Sequence, residues 1–208
     1  MLTNMLIDEL PKSVVVDGKP YAIEWNFRAV ILFELLMNDP DYSDEEKIAH
    51  SLALFYPKEI PDNIEKALDA LIDFYLCGGE IKPTKKTGKQ RSNRKSNYSF
   101  EQDAAYIYAA FLSQYGIDLN SIESLHWWKF SALFSSLGEE QKISRIMYYR
   151  DADLKGKSKQ EKKFLKEMKE KYALKEYVQP HQKLTLAQRD AAMKAYVKKR
   201  FEEIEGSG

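Results

Sequence analysis

The chain reads as a mainly α protein, a multi-helix globular protein with one small N-terminal β-hairpin, and three observations predict it. Ser and Thr capping signals recur along the sequence, each followed by apolar residues three and four positions apart. Two-residue alternation stands out once, around Asp17-Gly18. Hydrophobic residues make up 44% and charged residues 31% of 208, a balance that supports a packed core.

The elements follow in order. Val14-Val15-Val16, Asp17-Gly18 and Lys19 to Trp25 form a hairpin signal, because a two-residue Asp-Gly turn suits the type I′ geometry that right-twisted strands prefer. Tyr21, Ile23 and Trp25 alternate onto one face, which must lie on helices because a two-stranded hairpin alone is marginal in water. Asn26 is the N-cap of a first helix bearing Phe27, Val30, Ile31 and Leu35 and ending near Asn38-Asp39-Pro40. Ser43 with Glu46 makes a capping box for a second, with Ile48, Leu52 and Phe55 inward and Pro57 as its stop. Pro61 opens a third, whose stripe is Ile64, Leu68, Leu71, Ile72 and Tyr75 and which Gly78-Gly79 closes.

From Lys82 the composition changes. Lys82, Lys85, Lys86, Lys89, Arg91, Arg94 and Lys95 occur without an acidic residue among Thr, Ser, Asn, Gly and Pro, too little apolar surface to offset ordering. Order resumes with Ser99 and Gln102 as a capping box before Phe100, Ala104, Ile107, Tyr108, Phe111 and Tyr115, with Gly116 as the stop. A helix over Ser124 to Leu137 carries Trp127, Trp128, Phe130, Leu133 and Phe134. Adjacent tryptophans point about 100° apart, so that helix must be covered from more than one side. Another runs from Glu139 to Tyr149. Ser158 and Glu161 cap a lysine-rich helix striped by Phe164, Leu165, Met168 and Tyr172, and Thr185 with Gln188 caps a last one bearing Met193, Val197, Phe201 and Ile204. The expected organisation is 1–80, a hairpin plus three helices; 81–97, a basic linker or loop; 98–179, an aromatic-rich helical region; 180–205, a C-terminal amphipathic helix; and 206–208, an appended linker.

Charge and cysteine use narrow the function classes. Lys plus Arg equals Asp plus Glu at 32 each, so any pull toward nucleic acid or membrane would have to be local. Cys77 alone excludes an intrachain disulfide and fits a reducing compartment. No apolar run nears the roughly 18 residues of a membrane span, and Met1 to Leu10 lacks a basic leader, so a soluble cytoplasmic protein is expected.

No constellation for chemistry is visible. His50, His126 and His181 lie in separate regions with no second ligand at helical spacing, whereas zinc needs about four convergent ligands. His126 is expected to be a packed or hydrogen-bonded imidazole beside the tryptophans, and Cys77 a buried, inert thiol. The protein is therefore expected not to be an enzyme and to hold no metal or cofactor. The basic stretch could neutralise phosphates, yet no aromatic lies within it to stack on bases, so a solvating linker is preferred to nucleic-acid binding. Trp127, Trp128, Phe130, Phe134 and Phe111 are assigned to the core. Phe164, Met168, Met193, Val197, Phe201 and Ile204 are assigned to partner binding, since apolar stripes on lysine-rich or Pro-separated helices need a partner to cover them.

The string from Tyr98 through Phe111, continuing by Gln114-Tyr115-Gly116-Ile117-Asp118-Leu119 to Leu125-His126-Trp127-Trp128-Lys129-Phe130, closely resembles the bacteriophage gene-product-fifteen family, as do Val16-Asp17-Gly18-Lys19, Phe27-Arg28, Ile60-Pro61 and Phe74-Tyr75. The likeness spans 10–175, and Leu-His-Trp-Trp-Lys-Phe is its specific marker. That family belongs to the tail modules of long-tailed phages of Gram-positive bacteria and is generally assigned as a tail assembly chaperone. The resemblance implies a non-enzymatic protein of the bacterial host cytoplasm, absent from the mature virion, that engages the tape measure protein before the tube polymerises. The tail tube protein, a sister tail chaperone and a second copy of the chain are further candidate partners. Alternatives are a permanent structural adaptor of the tail or head-tail joint, and a nucleic-acid-binding module using the basic stretch.

Overall fold

A computed structural model describes residues 3–78 and 96–175, with Ala191 and Ala195. The expected linker cations from Lys82 to Lys95, His181, and the last helix with Met193, Val197, Phe201 and Ile204 lie outside the described residues. What is described is mainly helical with a two-stranded antiparallel hairpin, and it divides into two compact units, one within 3–78 and one within 96–175.

In the first unit, β1 (Ser13–Val16) pairs with β2 (Lys19–Ala22) in the register Ser13 to Ala22 and Val16 to Lys19. Asp17 at φ 50° and Gly18 at φ 78° occupy the left-handed region that a type I′ turn demands at both central positions. Val16 and Ile23 are buried, and the Glu24 N–H donates to the Phe55 carbonyl at 2.8 Å, tying the hairpin exit to the end of the second helix.

Helix α1 (Phe27–Asn38) starts at Asn26, whose Oδ1 accepts the Arg28 N–H at 3.0 Å. Helix α2 (Asp44–Phe55) carries the full capping box: the Ser43 N–H donates to Glu46 and the Glu46 N–H to Ser43 Oγ. Those backbone and hydroxyl donors hold the Glu46 carboxyl below its ordinary range. Helix α3 (Ile64–Tyr75) is capped by Asn63, and buried Pro61 sits just before it. Phe55 packs edge-to-face on Phe33 at 5.4 Å and Phe74 at 6.4 Å. The Tyr56 hydroxyl donates to the Ala67 carbonyl at 2.7 Å and is pushed up to about 12 by burial.

Three expectations need correction here. Ile48 is exposed, and Ser51 takes the inner position on α2 with its hydroxyl donating to the Lys47 carbonyl. On α3 the inner face is Ala67, Leu71 and Phe74; Ile64 is 41% and Ile72 37% exposed, because one broad apolar arc runs from Phe74 through Leu71 and Ile64 to Ile72 and packing covers its Phe74 edge. Cys77 is half-buried, not buried, and lies past the helix end at φ 57°.

The second unit holds α4 (Ala104–Tyr115), α5 (Trp127–Ser135), α6 (Lys142–Asp151) and α7 (Lys159–Lys171). Gly116 at φ 67° closes α4 in the left-handed cap that favours glycine. The expected start of α5 at Ser124 moves to Trp127, because His126 is the N-cap: its Nδ1 accepts the Trp128 N–H at 3.1 Å. Helix α6 likewise begins at Lys142 rather than Glu139. Phe130 stacks on Phe111 at 4.9 Å and on Trp127 at 5.7 Å, and Phe100 lies 6.0 Å from it. Phe111, Phe130, Trp127 and Trp128 are buried, and Phe134 is half-buried. Truncating a buried aromatic of this kind costs about 3–5 kcal/mol.

Candidate partner-binding surface on α6 and α7

The surface is built from a buried anchor outward. Arg150, in the last turn of α6, is 10% exposed, and its guanidinium meets the Asp103 carboxylate, 3% exposed, through two bonds of 2.6 and 3.0 Å. The same guanidinium donates from Nε to the Tyr172 carbonyl at 2.6 Å and from Nη1 to the Asn97 carbonyl at 2.9 Å. Asp103 Oδ2 also accepts the Ser99 N–H at 2.9 Å. One planar fork thus joins the segment entering α4, the end of α6 and the end of α7, a geometry that an ammonium group could not satisfy.

The expected Ser99–Gln102 capping box is replaced accordingly. Ser99 Oγ does accept the Gln102 N–H at 3.2 Å, but the reciprocal acceptor is Asp103. The Gln102 amide turns instead to the backbone of Lys175, donating to its carbonyl at 2.9 Å and accepting its N–H at 3.0 Å. Residues after α7 are therefore held by both Arg150 and Gln102.

On that frame α7 presents an apolar patch. Ser158 and Glu161 form the expected capping box, and the Ser158 donors hold the Glu161 carboxyl below its ordinary range. Leu165 is buried against the unit, while Phe164 remains 49% exposed, Met168 half-buried and Tyr148 of α6 55% exposed. Tyr149 organises the patch, meeting Phe164 edge-to-face at 5.9 Å, Tyr148 at 5.8 Å and Tyr172 in a stack at 6.1 Å. Helix α7 carries six lysines and three glutamates, and the positions three and four away from Phe164 and Met168 hold Gln160, Glu161, Glu167 and Lys171, so the flank of the patch is mixed in charge. Exposed aromatics with a thioether beside them suit an apolar helix stripe.

Of the six residues assigned to partner binding, the structure brings Phe164 and Met168 together, and Met193, Val197, Phe201 and Ile204 are undescribed. Tyr148, Tyr149, Asp103 and Arg150 were not singled out from sequence. Asp103 and Arg150 are 47 positions apart and leave no local signature; the adjacent tyrosines could have been noticed as the helix face one turn from Arg145.

Elsewhere, Glu34 in the first unit accepts the Tyr75 hydroxyl at 2.8 Å, and burial raises its carboxyl above the ordinary range. Asp118 in the loop after α4 is held low mainly by the Asn120 N–H. His126 meets the Trp128 ring edge-on at 6.0 Å, and His50 meets Tyr42 at 5.3 Å. Among the described residues there is no group of three His, Cys, Asp or Glu side chains placed to hold a metal ion, and no helix long and apolar enough to cross a membrane.

The sequence profile of one protein family, described as Bacteriophage Gp15 protein, matches residues 6–174. Comparison with curated proteins and with solved structures gives no match.

Proposed function

The chain belongs to the bacteriophage Gp15 protein family, and from that premise we propose that this phage protein is a non-enzymatic tail assembly chaperone that binds the tape measure protein before the tail tube polymerises. The observation that carries this is the α6–α7 patch of Tyr148, Tyr149, Phe164 and Met168, apolar and mounted on the Arg150–Asp103 anchor.

A tape measure is a long, largely helical, partly apolar chain that would aggregate if left bare. An exposed aromatic patch can accept an apolar stripe of such a helix, and binding the unassembled client stabilises it by mass action. Each contact can be weak, because copies arrayed along one client gain affinity through effective concentration. Tube subunits compete for the same client surface and release the chaperone. On this account the protein works in the host cytoplasm and is absent from the mature virion, with the tube protein and a sister chaperone as further partners.

Co-expression with the neighbouring tape measure protein tests this, followed by solubility measurement and pull-down. The expected result is a soluble complex for the unmodified chain. A Tyr148→Asp, Phe164→Asp variant should retain its fold and bind about 30-fold more weakly, roughly 2 kcal/mol for two exposed aromatics at a contact centre. No complex and no rescue of solubility would overturn the proposal, and stoichiometric presence in purified virions would favour the permanent adaptor.

A further inference from the structure

The inward rotation of α3 leaves a second apolar row outside. Ile64, Leu68, Ile72 and Leu76 follow one another at intervals of four; Ile64 is 41%, Ile72 37% and Leu76 38% exposed, and Leu68 is half-buried. One position on from the first three lie exposed Glu65, Asp69 and Asp73, an acidic rail alongside the row. A row at intervals of four is the ridge that interdigitates with the matching ridge of another helix.

A segment with the complementary pattern exists in this chain. In 180–205, of which only Ala191 and Ala195 are described, Met193, Val197 and Phe201 repeat at intervals of four with Ile204 three further on, and Lys194, Lys198 and Glu202 stand one position after them, two cations and one acid. Seventeen residues, 176–192, separate Lys175 from Met193, and extended they span on the order of 60 Å, beyond the width of a unit this size.

We propose that the C-terminal segment of the same chain seats its Met193, Val197 and Phe201 ridge on the Ile64, Leu68 and Ile72 ridge of α3, running antiparallel to it. Direction follows from handedness. Both charge rows sit at the same rotation, about 100°, from their ridges. Two helices facing each other bring such rows to the same side only when antiparallel. Lys194 and Lys198 then lie along Glu65, Asp69 and Asp73, with Ile72 near Met193 and Ile64 near Phe201. This seat is independent of the chaperone assignment and of the α6–α7 patch.

Disulfide trapping in the full chain tests it, in a Cys77→Ser background. A disulfide forms only when Cα atoms come within about 7 Å. Mild oxidation at low protein concentration should close Ile64→Cys with Phe201→Cys, and Ile72→Cys with Met193→Cys, within one chain, and should leave Ile64→Cys with Met193→Cys open. Replacing Glu65, Asp69 and Asp73 by Lys should slow trapping roughly fivefold to tenfold, as expected for two or three exposed pairs, and adding Lys194→Glu and Lys198→Glu should restore it. Unchanged far-ultraviolet circular dichroism verifies that each variant is folded. Cross-links only between chains would overturn the proposal in favour of a second copy. Closure of the Ile64 and Met193 pair alone would overturn the antiparallel seat, and no trapping in folded variants would leave the ridge to a foreign helix and overturn it too.

Discussion

Replacing Arg150 by Met probes the anchor beneath the α6–α7 surface. The change keeps most of the side-chain volume but removes all four hydrogen bonds made by the guanidinium. Asp103, 3% exposed, would keep only the Ser99 N–H from these partners, and the carbonyls of Tyr172 and Asn97 would lose their donor. Breaking a buried pair by removing one partner costs about 3–5 kcal/mol, chiefly because a charge is left uncompensated. For a unit of this size, with a urea m value of about 1–1.5 kcal/mol/M, the midpoint should fall by roughly 2 M or more. Urea unfolding followed by tryptophan fluorescence in a Trp25→Phe background reads the second unit alone, since Trp127 and Trp128 both lie in it. Arg150→Lys should recover part of the loss and no more, because one ammonium cannot fork toward a carboxylate and two carbonyls. In a double-mutant cycle with Asp103→Leu, the double variant should be less destabilised than the sum by about 1.5–3 kcal/mol. A single-variant cost under about 1 kcal/mol, or a coupling under about 0.5 kcal/mol, would refute the anchor's role.

Two further tests address the caps and the buried acid. His126→Ala should be about 1 kcal/mol less stable than His126→Asn, because asparagine restores an acceptor for the Trp128 N–H; equal urea midpoints would remove the cap argument. Burial raises the Glu34 carboxyl, so the stability it lends the first unit is complete below its ordinary value of 4.5 and is lost as pH rises through the raised folded value. Glu34→Gln keeps an acceptor for the Tyr75 hydroxyl, and so should raise the urea midpoint at pH 7 and flatten its difference from pH 5; an unchanged pH difference would contradict this.

Features governed by neighbouring residues were legible in the sequence. Asp17-Gly18 announces its turn because few other dipeptides tolerate two left-handed residues, and Asn26, Ser43 and Ser158 announce helix starts because their oxygens reach backbone donors two or three positions on. Competition between equivalent local choices was not legible. Gln102 and Asp103 could each serve Ser99, and the outcome turned on Arg150 and Lys175, both remote in sequence. The apolar arc of α3 is broader than the surface it packs against, and Phe55, remote in sequence, meets its Phe74 edge. His126 looked like part of the tryptophan cluster and is also its cap, a role that histidine fills too rarely for spacing to suggest.

The grip of Arg150 on the carbonyl at the end of α7 has a kinetic meaning. Under the proposed function, α7, fastened at its far end, does not have to become ordered when a client lands on Phe164 and Tyr148, so little of the contact energy is spent on restraining it. Encounter with a client should then resemble rigid docking, with entry rates varying little from one client segment to another. Differences among segments would appear in how long each one stays.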